Sequence, residues 1–105
     1  MADADRDSLS KSARGGAVVV TGLGCVTPLG VDAASTWSEL LAAHCGVTRL
    51  PEDFDPRLPV QIAARLPGPV DAGEIPPKEL RRLDRTILLA LAAAREALAD
   101  AGLSP

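Results

Sequence analysis

Apolar and polar positions along the chain fall into four patterns, each with its own period. Val18, Val19 and Val20 follow one another without alternation, which predicts a strand covered on both faces, as inside a parallel or mixed sheet. Trp37, Leu40, Leu41 and His44 recur at i, i+3, i+4 and i+7, one face of a helix. That helix begins near Asp32, with Asp32 or Thr36 able to cap it; Thr36-Trp-Ser-Glu39 matches a capping box, and Gly46 supplies the stop. Val60, Ile62, Ala64 and Leu66 alternate with Gln61, Ala63 and Arg65, the period of a half-buried strand, and the flanking Pro59 and Pro67 suit a sheet edge. From Pro76-Pro77, which cost little at a helix start, Leu80, Leu83, Ile87, Ala90, Leu91, Ala94, Leu98 and Ala101 recur at steps of three and four until Gly102. Asp84 divides this last helix into a short and a long piece, and the alanines from Ala90 to Ala101 leave a face of little bulk that permits close packing.

These elements place the chain in the α/β class. The valine run passes directly into a loop, Thr-Gly-Leu-Gly-Cys-Val-Thr-Pro-Leu-Gly, in which Gly22 and Gly24 permit a sharp turn or close backbone approach, Pro28 fixes φ near −65° and Gly30 releases the chain toward the first helix. A Gly-rich turn after a buried strand is also where a dinucleotide pyrophosphate binds. The spacing excludes it, because the position that should hold the third glycine is Thr27 and Pro28 follows. Gly22, Gly24, Pro28 and Gly30 are therefore read as a structural loop. Between Val47 and Pro77 the texture is Pro and acid, which reads as connecting chain around the one short strand. Two strands make a marginal sheet, so whatever covers Val18 to Val20 is expected from chain outside these residues, and the fold reads as incomplete.

With 105 residues the chain has material for one small domain. Residues 1–16 hold alternating charges and a single large apolar side chain, Leu9, and are expected to be a disordered tail, with 17–105 a partial domain. Hydrophobic residues make up 47% but aromatics only 2%, so the core is expected from Ala, Leu and Val. A net charge of −3 and the lack of a basic run with interleaved aromatics argue against nucleic acid. The sequence shows neither a secretory signal nor the roughly 18 apolar residues of a membrane span, which makes cytoplasm the default compartment. Cys25 and Cys45 match no disulfide framework or zinc spacing.

The remaining chemistry is sparse. Lys78, Arg81, Arg82 and Arg85 form the only local concentration of positive charge, spaced so that one continuous helix would present them together. Such a patch is either a solvated face paired with Glu79 and Asp84 or a dock for an acidic protein. His44, the single histidine, sits where the first helix should end, and the simplest role for it is to bond the last carbonyls. Cys45 lies at the same end, where the dipole disfavours a thiolate, and Cys25 lies in the glycine loop; both read as thiols without catalytic use.

Two stretches carry a resemblance. Val18-Val-Val-Thr-Gly-Leu-Gly-Cys-Val-Thr-Pro-Leu-Gly30 with Ser35-Thr-Trp-Ser-Glu-Leu-Leu-Ala42, and far downstream Lys78-Glu-Leu-Arg-Arg-Leu-Asp-Arg85 with Ala90-Leu-Ala-Ala-Ala-Arg-Glu-Ala-Leu-Ala-Asp-Ala-Gly102, together resemble the amino-terminal end of the β-ketoacyl-(acyl carrier protein) synthases. The resemblance implies the amino-terminal part of a thiolase-like layered αβαβα fold, in an enzyme that condenses an acyl thioester with malonyl carrier protein, without metal or redox cofactor. It implies that Lys78, Arg81 and Arg82 match the family's basic motif that meets acyl carrier protein. The remainder of the synthase chain and a homodimer are further implied partners. The nucleophilic cysteine, two histidines and lysine of the family lie beyond residue 105, so these residues alone are not expected to catalyse condensation. The alternatives are a non-catalytic carrier-protein-binding module and a chain-length-factor-like subunit.

Overall fold

A computed structural model describes residues 16–104 of the chain. The expected tail over 1–16 lies, but for Gly16, outside the described residues. Element order is α1 (Ala33–Leu41), β1 (Val47–Arg49), β2 (Ile62–Ala64), α2 (Pro77–Leu80) and α3 (Arg85–Asp100). β1 and β2 pair antiparallel, with Val47 opposite Ala64, Thr48 opposite Ala63 and Arg49 opposite Ile62.

The first helix starts where an acidic cap should place it. Asp32 has extended backbone, and its side chain accepts a hydrogen bond from the Ser35 N–H at 2.6 Å, satisfying one orphan donor of the first turn. Thr36 is thus not a cap but sits inside α1. The helix also ends before Gly46. Ala43 takes φ of 57° and closes a Schellman pair, its N–H bonding Leu40 O at 3.0 Å and the His44 N–H bonding Glu39 O at 3.1 Å. Four residues of predicted helix, Ala42 to Cys45, are lost because an alanine accepts the left-handed position that Gly46 was expected to fill.

β1 was not foreseen. Its three residues are too few to show a period, and Val47 and Thr48 alone carry the β-branched signal. The strand read from Val60 to Leu66 is formed only over Ile62–Ala64, and its covered face is the opposite one: Ala63 is half-buried while Ile62 is exposed. Between the strands, the Gln61 amide donates to Leu58 O at 2.8 Å and Leu50 N–H donates to Gln61 O at 2.8 Å, folding residues 50–61 back on themselves.

The division at Asp84 is present. Pro77 opens α2, and Asp84, with φ of −65° and ψ of 147°, precedes α3. α3 ends in a second Schellman pair, here with Gly102 at φ of 71°, Gly102 N–H to Ala99 O and Leu103 N–H to Leu98 O. The segment containing Gly22 and Gly24 packs against α3. Val18, Val19 and Val20 form no ladder, and their exposures of 100%, 69% and 79% differ from the doubly covered strand that their run predicts. Among the described residues, Ala92 is the one buried hydrophobic side chain. No described helix is long and apolar enough to cross a membrane.

Candidate functional site

The basic patch spans a break in the chain rather than one helix face. Lys78 lies in α2, Arg81 caps its C-terminal end, Arg82 follows in the turn with its N–H on Glu79 O at 2.8 Å, and Arg85 is the first residue of α3. The i, i+3, i+4, i+7 register expected of a single helix is interrupted at Asp84, because the extended backbone there restarts the helical ladder from the Asp84 carbonyl. All four cations are exposed. The described ion pairs are His44 with Glu39 and Arg57 with Asp55, so neither Glu79 nor Asp84 neutralises the patch. Among the described residues, that arrangement leaves the charges available to an external anion.

Further along α3, about two to four turns past Arg85, the helix holds the glycine loop at closer range than side chains allow. A Cβ on Gly22 would fall 2.6 Å from Ala101 N, and one on Gly24 2.7 Å from Ala97 N, with helix carbonyls nearer still. Neither glycine has positive φ, so their role is close approach and not a left-handed turn. Two carboxylates on α3 then complete the seat. Glu96 accepts from Cys25 N–H at 2.9 Å with one oxygen and from Ala33 N–H at 2.7 Å with the other, and Asp100 accepts from Leu23 N–H at 2.9 Å. Hydrogen bonds to a charged acceptor are roughly twice as strong as neutral ones. Sequence reasoning missed both acids. Their i, i+4 spacing beside the small residues Ala93, Ala97 and Ala101 was the available signal.

Pro28 and Gly30 shape the next turn. Thr27 and Gly30 bond each other in both directions, at 2.8 and 3.2 Å, while the Thr27 hydroxyl accepts from Leu29 N–H at 3.1 Å and lies 2.9 Å from the Thr36 hydroxyl. Gly30 abuts Thr36 N, where a Cβ would come within 2.6 Å. The turn thereby aims the chain into α1, whose cap Asp32 is held below the usual carboxylate range by hydrogen bonds from Ser35.

His44 lies past the end of α1, not in its last turn, and its Nδ1 meets the Glu39 carboxylate. His44 is exposed and Glu39 half-buried, at the edge of an open groove of about 630 Å³ that also includes Cys45 and Pro28. The imidazole has no thiol or hydroxyl partner, so the group assembles no nucleophile-base pair. Cys25 is half-buried and Cys45 exposed, both free thiols. Among the described residues no three His, Cys, Asp or Glu side chains converge as a metal site.

The model of the beta-ketoacyl synthase N-terminal domain matches residues 16–105. Similar proteins include 3-oxoacyl-(acyl-carrier-protein) synthase 2 of Rhizobium meliloti (strain 1021), 40% identical over 84% of this chain and 23% of its own. The tetracenomycin polyketide synthase ketoacyl synthase beta subunit of Streptomyces glaucescens is also 40% identical, over 84% of this chain and 22% of its own. The chloroplastic 3-oxoacyl-(acyl-carrier-protein) synthase II of Arabidopsis thaliana is 36% identical over 83% and 16%. The chain spans about a fifth of the length of these relatives.

Proposed function

The chain belongs to the beta-ketoacyl synthase family through its N-terminal domain, and on that premise we propose that it supplies the amino-terminal portion of a 3-oxoacyl-(acyl carrier protein) synthase of fatty-acid or polyketide synthesis. The reaction joins an acyl thioester to malonyl carrier protein: the acyl group passes to a cysteine, the malonyl thioester loses carbon dioxide, and the resulting carbanion attacks the acyl carbonyl. The products are a 3-oxoacyl carrier protein, carbon dioxide and the freed carrier thiol. None of the described side chains forms a nucleophile-base pair, so this portion contributes scaffold and recognition. A thiolase-like layered fold, a homodimer and a cytoplasmic place belong to the same reading.

Recognition rests on Lys78, Arg81 and Arg82, exposed on α2 and the turn after it and in no ion pair among the described residues. An acidic carrier protein would be steered to them by complementary charge, gaining association rate at low salt. The unneutralised patch is the observation that carries this reading. Titration of purified acyl carrier protein against the full-length polypeptide tests it: the double substitution Arg81→Glu, Arg82→Glu is expected to weaken binding about tenfold or more. Unchanged affinity would remove the patch from the reading.

A second reading has its own observation. Identity to the beta subunit of a ketoacyl synthase equals that to a synthase 2, at 40% for each. A chain-length-factor-like subunit would keep the same dock without a reactive cysteine.

A further inference from the structure

Resting on the carrier-protein reading, we propose that the dock continues past Arg82 into a groove flanked by Arg65 and Arg85, which seats an apolar side chain of the same acidic partner between its carboxylates. The groove has a volume of about 580 Å³ and is lined by Val26, Pro28, Ala64, Leu66 and Leu89 together with the two arginines. Arg85 opens α3 immediately after the turn that carries Arg82, so patch and groove adjoin along the chain. Arg65 enters from the other side, directly after β2, with its guanidinium 5.5 Å from the centre of the Phe54 ring. The ring face attracts that cation without neutralising it. Neither arginine takes part in a described ion pair.

The mixture of walls selects the occupant. The apolar side chains offer nothing to a purely ionic ligand, and two guanidiniums in no described ion pair offer nothing to a neutral apolar one. An amphipathic acidic helix supplies both, an apolar residue for the groove with carboxylates three or four positions to either side. The net charge of the chain is −3, while residues 65–85 hold five cations against four acids, so this stretch runs slightly against the prevailing sign, and Arg65 and Arg85, in no described ion pair, give the groove its complementarity to an acidic protein.

The test titrates acyl carrier protein against the full-length polypeptide carrying Arg85→Glu, Arg65→Glu or Leu66→Ala. Arg85→Glu places an acid in the first turn of α3, where the helix dipole favours it, so lost binding would not report a lost helix. Each charge reversal is expected to weaken binding about fivefold at low salt and much less at about 0.5 M salt. Leu66→Ala is expected to cost about threefold at either salt, the signature of an apolar contact. If Arg81→Glu, Arg82→Glu abolishes binding while all three groove variants keep wild-type affinity, the groove proposal is wrong and the docking reading stands. If no variant differs from wild type, both fall. Binding to phosphatidylglycerol vesicles that the same arginine substitutions remove, without change toward the carrier protein, would assign the groove to lipid and overturn the proposal.

Discussion

At the scale of single residues, the two longer helices end in the same hydrogen-bonded motif with different residues at its left-handed position. α3 uses Gly102 and α1 uses Ala43, whose Cβ crowds the following carbonyl oxygen at a cost of about 1 kcal/mol. Ala43→Gly is therefore expected to stabilise the end of α1 by about 1 kcal/mol, less the small entropy cost of glycine in the unfolded chain. Slower hydrogen exchange at the Ala43 and His44 amides would show it; faster exchange would mean that the alanine is unstrained. Residue-level features were legible where the partner is close in sequence, as with Asp32 capping through Ser35 and Gly102 ending α3. Glu96 and Asp100 were not, because the amides they hold lie 63 to 77 residues away and no local pattern points across that distance. Thr36 shows the opposite error, since a matching capping-box spacing was outweighed by the nearer Asp32 and by the Thr27 hydroxyl.

At the scale of elements, the packing of the glycine loop on α3 depends on two missing side chains. Gly24→Ala would push a methyl group into helix backbone, which cannot rotate away as a side chain can, and overpacking of this kind costs about 1–3 kcal/mol. The expected result is loss of exchange protection at the Leu23 and Cys25 amides, while Gly68→Ala, which meets nothing within 4 Å, leaves them unchanged. Equal protection in both variants would show that the loop shifts to accommodate the methyl. Helix existence and the break at Asp84 were readable from periodicity and from proline and acidic punctuation. β1 and the inverted face of β2 were not, since strands of three residues are fixed by their pairing and by the folded-back segment of residues 50–61 rather than by their own pattern.

At the scale of the molecule, apolar side chains are left outside. Val18, Trp37, Leu41 and Ile62 are each more than half exposed, and a single alanine is buried among the described residues. Burial of this extent yields little hydrophobic stabilisation against the entropy of ordering the chain. Expressed as these 105 residues alone, the polypeptide is expected to melt over a broad range and to bind a hydrophobic dye; a sharp two-state transition with protected amides at Val18 to Val20 would contradict this. The kink at Asp84 has a further consequence. Because the helical ladder begins anew there, α2 and its turn can tilt or change sequence without disturbing the seat that Glu96 and Asp100 provide for the glycine loop. A lineage could thus alter the surface that α2 presents while the scaffold beyond that joint stays fixed.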